Sequence, residues 1–363
     1  MTAARVTMIG VGNLMEMIWP AISHSVGGDD VSSRLIGVTA DAADIERKQT
    51  VFGFEMVLND NLGALRKNHP DLIMFAPPPS IAPELIRSVL QPYYAERRQS
   101  GGTLPELLAF PPIPLGATYQ EALGSDVLVA NMIPNNVTTI AGTPIEDEGH
   151  YVCTYPAPWP ESRKDALQSM FAGQGAYIEM EPHQLVPMLG GGCLISALWF
   201  AVPAVADLVG TDHNLLARYL RAELNTRDLD EGVLDLGHQG LPAPPNLDTL
   251  VSMIRSWHGG VEQYFRETDL APSAVATLVA RGFDLTLHTA QAEPRSVLSD
   301  LAVGAATKGG VLECGIRQTR SNLLPSIQAG LDEGAGPAWE SQFSSLVTAA
   351  AHTVREHGAT LAD

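Results

Sequence analysis

The chain has 363 residues, enough for two ordinary domains, and its 45% hydrophobic content supplies a buried core and excludes global disorder. Aromatic residues are only 6% of the chain, so that core is mostly aliphatic. A formal net charge of -19 repels a phosphate backbone, which argues against nucleic acid and anionic membrane surfaces as partners.

In chain order, the segment "RVTMIG" (5–10) predicts a strand, and 13–26 a helix. The run "RLIGVTA" (34–40) predicts a second strand and 43–53 a second helix. "DLIMFAPPP" (71–79) reads as a buried strand stopped by prolines, and "APELIRSVLQPYY" (82–94) as a helix. "LPELLAFPP" (104–112) is a further short strand or turn of helix, and "DVLVANMIPN" (126–135) is a strand. One more helix and strand follow over 161–181. Strand–helix alternation with nearly continuous apolar strands predicts a parallel sheet covered on both faces. Beyond residue 182 strand signals vanish, and helical patterns cover 212–225, 247–267, 271–289, 295–306 and 338–357. The expected organisation is an α/β, Rossmann-type domain over 1–181 and an all-helical domain over 182–363. The most apolar stretch, within 194–210, carries a proline and an aspartate and reads as a buried helix too short to span a bilayer.

Three cysteines at unrelated spacings (Cys153, Cys193 and Cys314) indicate neither a disulfide framework nor a zinc site. The chain starts "MTAARVTMIG", with no apolar signal core, so a cytoplasmic location is expected. No histidines show metal-ligand spacing. His352 and His357 are five apart, which puts them on different helix faces, and His183, Glu181 and His238 form no motif. No metal is expected.

The most informative local pattern is Gly10-x-Gly12, which follows a strand and opens a helix. Gly10 allows a tight turn, and Gly12 lets a pyrophosphate approach backbone N–H groups at a helix start. The third small residue of the dinucleotide fingerprint is replaced by Met15. Thr39, Ala40 and Asp41 occupy the bend after the second strand, where such a domain meets the adenosine ribose. Asp41 would repel a 2′-phosphate or else cap the next helix, while Arg47 and Lys48 come later on that helix. NADPH and NADH both remain open at this stage.

Four stretches in order resemble the pyrroline-5-carboxylate reductase family. They are "GVGNLMEMI" with Asn13 and Glu16, "VLVANMIPNNVTTIAG" with Pro134 and Asn135, "LGGGCLISALWF", and "AVGAATKGGVLECGI" with Gly309 and Gly310. The chain departs from the family pattern in several places. Asn131 stands where the family has an arginine, and the loop hydroxyl pair is replaced around Thr307 and Lys308. There is extra sequence around 93–112, 226–248 and after 320. The resemblance implies a nicotinamide cofactor, hydride transfer to a C=N or C=O bond of a small carboxylate-bearing substrate, and a homodimer through the helical half. It assigns cofactor contacts to Gly10, Gly12, Asn13, Leu14, Thr39 and Asp41, and also to Pro77, Asn131 and Pro134. Asn135 would position the nicotinamide or the substrate, and Gly191 and Gly192 would present helix-start N–H groups to a carboxylate. Gly309 and Gly310 would line the substrate loop, in which Lys308 binds the carboxylate or donates a proton, helped by Thr307. Two other readings compete: a 3-hydroxy acid-type dehydrogenase, and a non-catalytic nucleotide-binding or interaction protein.

Overall fold

Val6–Ile9 forms β1, four residues buried on both faces, and Asn13–Gly27 forms α1 directly after a three-residue turn. The computed structural model describes residues 4–27, 32–135, 149–225, 241–305 and 309–362. Apart from the last two residues, the chain divides into two units, Met1–Leu185 and Val186–Leu361.

The first unit continues with β2 (Leu35–Thr39), α2 (Ile45–Phe52), β3 (Glu55–Leu58), α3 (Asn61–Asn68) and β4 (Leu72–Phe75). A helix interrupted by a π-turn, α4 (Ala82–Leu85) and α5 (Gln91–Gln99), leads to β5 (Glu106–Ala109). The unit closes with α6 (Gly116–Leu123), β6 (Val129–Asn135), β7 (His150–Thr154), α7 (Glu161–Met170) and β8 (Ala176–Met180). The strands form one sheet in the order β3-β2-β1-β4-β5-β6-β7-β8. The direction of winding reverses between β1 and β4, and in such a doubly wound sheet ligands bind beyond the carboxyl ends of the strands at that point.

Alternation along the strands loads both faces. Met8, Met74, Leu108 and Met132 join α1 residues Met15, Ile18 and Ile22 in one cluster. Ile9, Ile73, Phe75 and Leu107 join Tyr93, Tyr94 and Tyr119 in another. The sheet is thus covered on both sides, as its nearly continuous apolar strands require.

Two features differ from the sequence expectation. The sheet is parallel from β3 to β6, but β7 runs antiparallel to β6, with Asn131 opposite Thr154 and Asn135 opposite His150, and β8 runs parallel to β7. Four elements, β3, α3, α6 and β7, had no clear sequence signal. β3 is a partly exposed four-residue edge strand, and α3 is held by tertiary bonds rather than by amphipathicity. The buried Asn68 of α3 donates to Val6 O at 2.8 Å and Thr7 Oγ1 at 3.0 Å, tying that helix to β1.

The second unit is helical. It comprises α8 (Leu185–Ser196), α9 (Leu198–Val209) and α10 (His213–Asn225), then helices Leu247–Arg266, Pro272–Ala292, Arg295–Ala305, Val311–Gln318, Leu324–Glu333 and Pro337–Ala362. The apolar run is longer than the sequence reading allowed. Pro182–Val209 spans 28 residues with a hydropathy of 1.9, enough by length and composition to cross a membrane, and 78% of its most apolar window is buried inside the chain. The helix Leu247–Arg266 approaches Pro337–Ala362 so closely that a Cβ added at Gly260 would stand 2.5 Å from Ser344 O. On the last helix Phe343, Val347, Ala350, Ala351 and Val354 are all buried.

Candidate nucleotide-binding site

Gly10 ends β1 with φ +83, and its N–H and that of Val11 both donate to Val38 O, at 3.1 and 2.9 Å. A Cβ added at Gly10 would stand 2.6 Å from Pro77 N and 2.7 Å from Ala76 C. The protein itself therefore demands a glycine here, through the backbone sign and the close passage of the chain leaving β4. Gly12 is different. Among the described residues a Cβ there would meet nothing nearer than Gly10 O at 4.0 Å, so no described protein atom explains the missing side chain. Among the described residues, space is open around that Cβ position at the start of α1, where the first-turn N–H groups have no intrahelical acceptor. Asn13 is exposed and Leu14 partly buried beside that space, whereas Met15 packs into the sheet cluster at 1% exposure. The bulky third fingerprint residue is thus a core residue.

The bend after β2 is organised by hydrogen bonds. Thr39 is buried, and its Oγ1 accepts from Asp41 N at 3.2 Å and from Lys48 Nζ at 3.2 Å. Asp41 is exposed and its Oδ1 accepts from Ala43 N at 3.0 Å, so it shapes the bend rather than capping α2. The residue at the cap position is Asp44, whose carboxylate grips Arg47 through both oxygens at 2.5 Å. Arg47 also reaches back to Glu16 on α1 at 2.7 Å. The Arg47 guanidinium, through its hydrogen bond, holds the Asp44 carboxyl below its ordinary value. Sequence reasoning missed this clamp, although Asp44, Arg47 and Lys48 stand at i, i+3 and i+4, the spacing that pairs charges on a helix.

Because β1, β2, β4, β5 and β6 are parallel, Gly10, Thr39, Pro77, Pro134 and Asn135 all sit at the same carboxyl edge. Asn131 lies in the last row before that edge, level with Ile9, Phe75 and Ala109, but it is fully buried and donates its Nδ2 to Pro111 O at 3.2 Å. Its Oδ1 lies against the start of α6, where a Cβ on Gly116 would come within 2.7 Å. Its expected cofactor contact is therefore corrected to a packing role inside the sheet.

In the helical unit, Gly191 and Gly192 are not at a helix start. They lie inside α8, where backbone N–H groups are committed to the preceding turn. A Cβ at Gly191 would stand 2.4 Å from Phe265 Cζ, and one at neighbouring Gly190 2.2 Å from Tyr264 Oη. The expected carboxylate cradle is corrected: Gly191 and Gly192 lie within the helix, and Gly190 and Gly191 form a packing seam against Tyr264 and Phe265. The helix start in this unit's candidate region is Gly310, which caps Val311–Gln318. Gly309, with φ +76, donates its N–H to Glu313 Oε2 and accepts at its carbonyl from His357 Nε2 at 2.9 Å. Thr307 and Lys308 lie outside the described residues, as does His238.

Among the described residues no group of three or more His, Cys, Asp and Glu side chains is gathered for a metal. His352 is instead paired with Glu267 at 2.8 Å. Cys153, Cys193 and Cys314 are buried free thiols, and burial pushes the first two up to about 12, far from a nucleophile's range.

No family model matches the chain, and no curated protein matches it. Among solved structures, a pyrroline-5-carboxylate reductase from Coxiella burnetii is 16% identical with a TM-score of 0.47, covering 78% of this chain and 99% of its own. Pyrroline carboxylate reductase of Plasmodium falciparum with NADP bound is 14% identical with a TM-score of 0.43, covering 99% of both chains. Prephenate dehydrogenase from Aquifex aeolicus is 12% identical with a TM-score of 0.42, covering 88% of this chain and 99% of its own.

Proposed function

We propose that this chain is a nicotinamide-dependent oxidoreductase that reduces a C=N or C=O bond of a small carboxylate-bearing substrate. The observation that carries the reading is Gly12, a glycine that no atom of the described residues requires, at a helix start by the reversal point of a doubly wound sheet. The residues present fit a dinucleotide. First-turn N–H groups of α1 would hold the diphosphate, and the bend at Asp41 would face the adenosine ribose. When bound, the nicotinamide supplies the hydride. Pro134 and Asn135, at the carboxyl end of β6, would border the nicotinamide end of the site. The substrate class is supported by the sequence resemblance around 302–316 and by the placing of Gly309 and Gly310 at a helix start.

Gly12→Val puts a branched side chain where its Cβ would meet, among the described residues, only Gly10 O at 4.0 Å. It is expected to weaken NADH and NADPH binding by at least about tenfold, the loss of one or more charge-assisted bonds, while the melting temperature stays that of the parent. Fluorescence transfer from tryptophan to the bound nicotinamide reads the binding. A folded variant that binds both cofactors like the parent would sink the assignment.

A homodimer through the helical unit belongs to the same proposal and is supported by the sequence resemblance. Light scattering at micromolar concentration is expected to report twice the chain mass of 38.7 kDa, and a monomer would remove it.

A further inference from the structure

We propose that the cofactor site prefers NADH to NADPH, and that Asp41 sets the preference while Asp44 and Glu16 withhold the two nearby cations. The inference rests on the cofactor reading above and asks what the bend after β2 can recognise. The two cofactors differ by one phosphate on the adenosine ribose. Accepting that dianion needs uncommitted cations or N–H donors, whereas the free diol needs an acceptor.

The bend is poor in donors. Ala40, Ala42 and Ala43 carry no polar side chain. The N–H of Asp41 is given to Thr39 Oγ1 and that of Ala43 to Asp41 Oδ1, so neither is left for an anion. The exposed Asp41 carboxylate keeps its second oxygen as an acceptor for a hydroxyl.

The cations next along the chain are both engaged. Arg47 is held by the two oxygens of Asp44 and by Glu16 Oε1. Lys48 is 5% exposed, and its ammonium turns under the strand end to Thr39 Oγ1 at 3.2 Å, with Asp44 Oδ2 at 3.7 Å. Glu46 adds a further exposed carboxylate in the first turn of α2. Around the bend, four carboxylates (Glu16, Asp41, Asp44 and Glu46) face two cations, so a phosphate dianion would enter a field of its own sign.

The test titrates the full-length chain with NADH and with NADPH, reading tryptophan fluorescence transfer and isothermal calorimetry. The ratio of the two dissociation constants is the quantity compared, so partial unfolding of a variant cancels. NADH is expected to bind at least about tenfold more tightly. Asp41→Asn should shrink that ratio, by weakening NADH, strengthening NADPH, or both. Asp44→Asn, which removes the charged grip of Asp44 on Arg47, should shrink it by strengthening NADPH. Equal or tighter binding of NADPH by the parent overturns the inference and leaves the cofactor reading standing. A preference for NADH that neither variant moves overturns the assignment to these residues. Binding of neither cofactor removes the cofactor reading and this inference with it.

Discussion

Gly10→Val is expected to destabilise the protein by about 3 kcal/mol or more, whereas Gly12→Val should change stability by less than about 1 kcal/mol. The two glycines are two residues apart in one motif, yet the physics at each differs. At φ +83 a branched residue carries a backbone penalty of about 1–2 kcal/mol, and its Cβ would overlap Pro77 N and Ala76 C, which are main-chain atoms. These cannot step aside without pulling β4 away from β1, where Ala76 N donates to Ile9 O at 2.8 Å. Overpacking of that kind adds about 1–3 kcal/mol. Among the described residues a Cβ at Gly12 meets only Gly10 O, at 4.0 Å, so its variant has no main-chain neighbour there to displace. Urea unfolding of both variants checks the contrast. Equal stability of the two would mean that the close passage of β4 over Gly10 is wrong.

The second expected result concerns the glycine run of α8. Gly190→Ala should destabilise by about 1–4 kcal/mol, and Gly192→Ala should be neutral or stabilising by up to about 1 kcal/mol. An alanine inside a helix ordinarily gains over glycine because less backbone entropy is lost. At Gly190 that gain is outweighed, since the new methyl would lie 2.2 Å from Tyr264 Oη and 3.0 Å from Ala351 O. The Tyr264 hydroxyl is buried and donates to Pro187 O at 2.7 Å, so moving it strands a polar group. At Gly192 the nearest atom is Met188 Sδ at 3.6 Å, an ordinary contact. Denaturation midpoints of the two single variants decide the matter. If Gly190→Ala is as stable as the parent, the seam against Tyr264 is not what selects the glycine.

Where a structure is made by strong signals between neighbours in the chain, the sequence was sufficient. The strand–turn–helix at Gly10 to Asn13 was legible because its signals are local: a β-rich run, a glycine for a positive φ, and then helical periodicity. The buried strands β2 and β4 and the long helices of the second unit were legible for the same reason. Asp44 with Arg47 and Lys48 was readable in principle from spacing alone, but the link from Arg47 to Glu16 spans 31 residues and was not. β7 carries five buried residues with no alternation, and its antiparallel seat beside β6 follows from pairing across the sheet. Asn131 stood in a motif that suggested a ligand, and only its hydrogen bond to Pro111, twenty residues back, shows that it serves the sheet. The run at 190–192 likewise looked like a helix start for a carboxylate, because a glycine has no side chain to declare its purpose. A glycine is required either by its own backbone angle or by whatever passes over it. The first is a property of the chain, and the second exists only once Tyr264 and Phe265 have been folded onto α8.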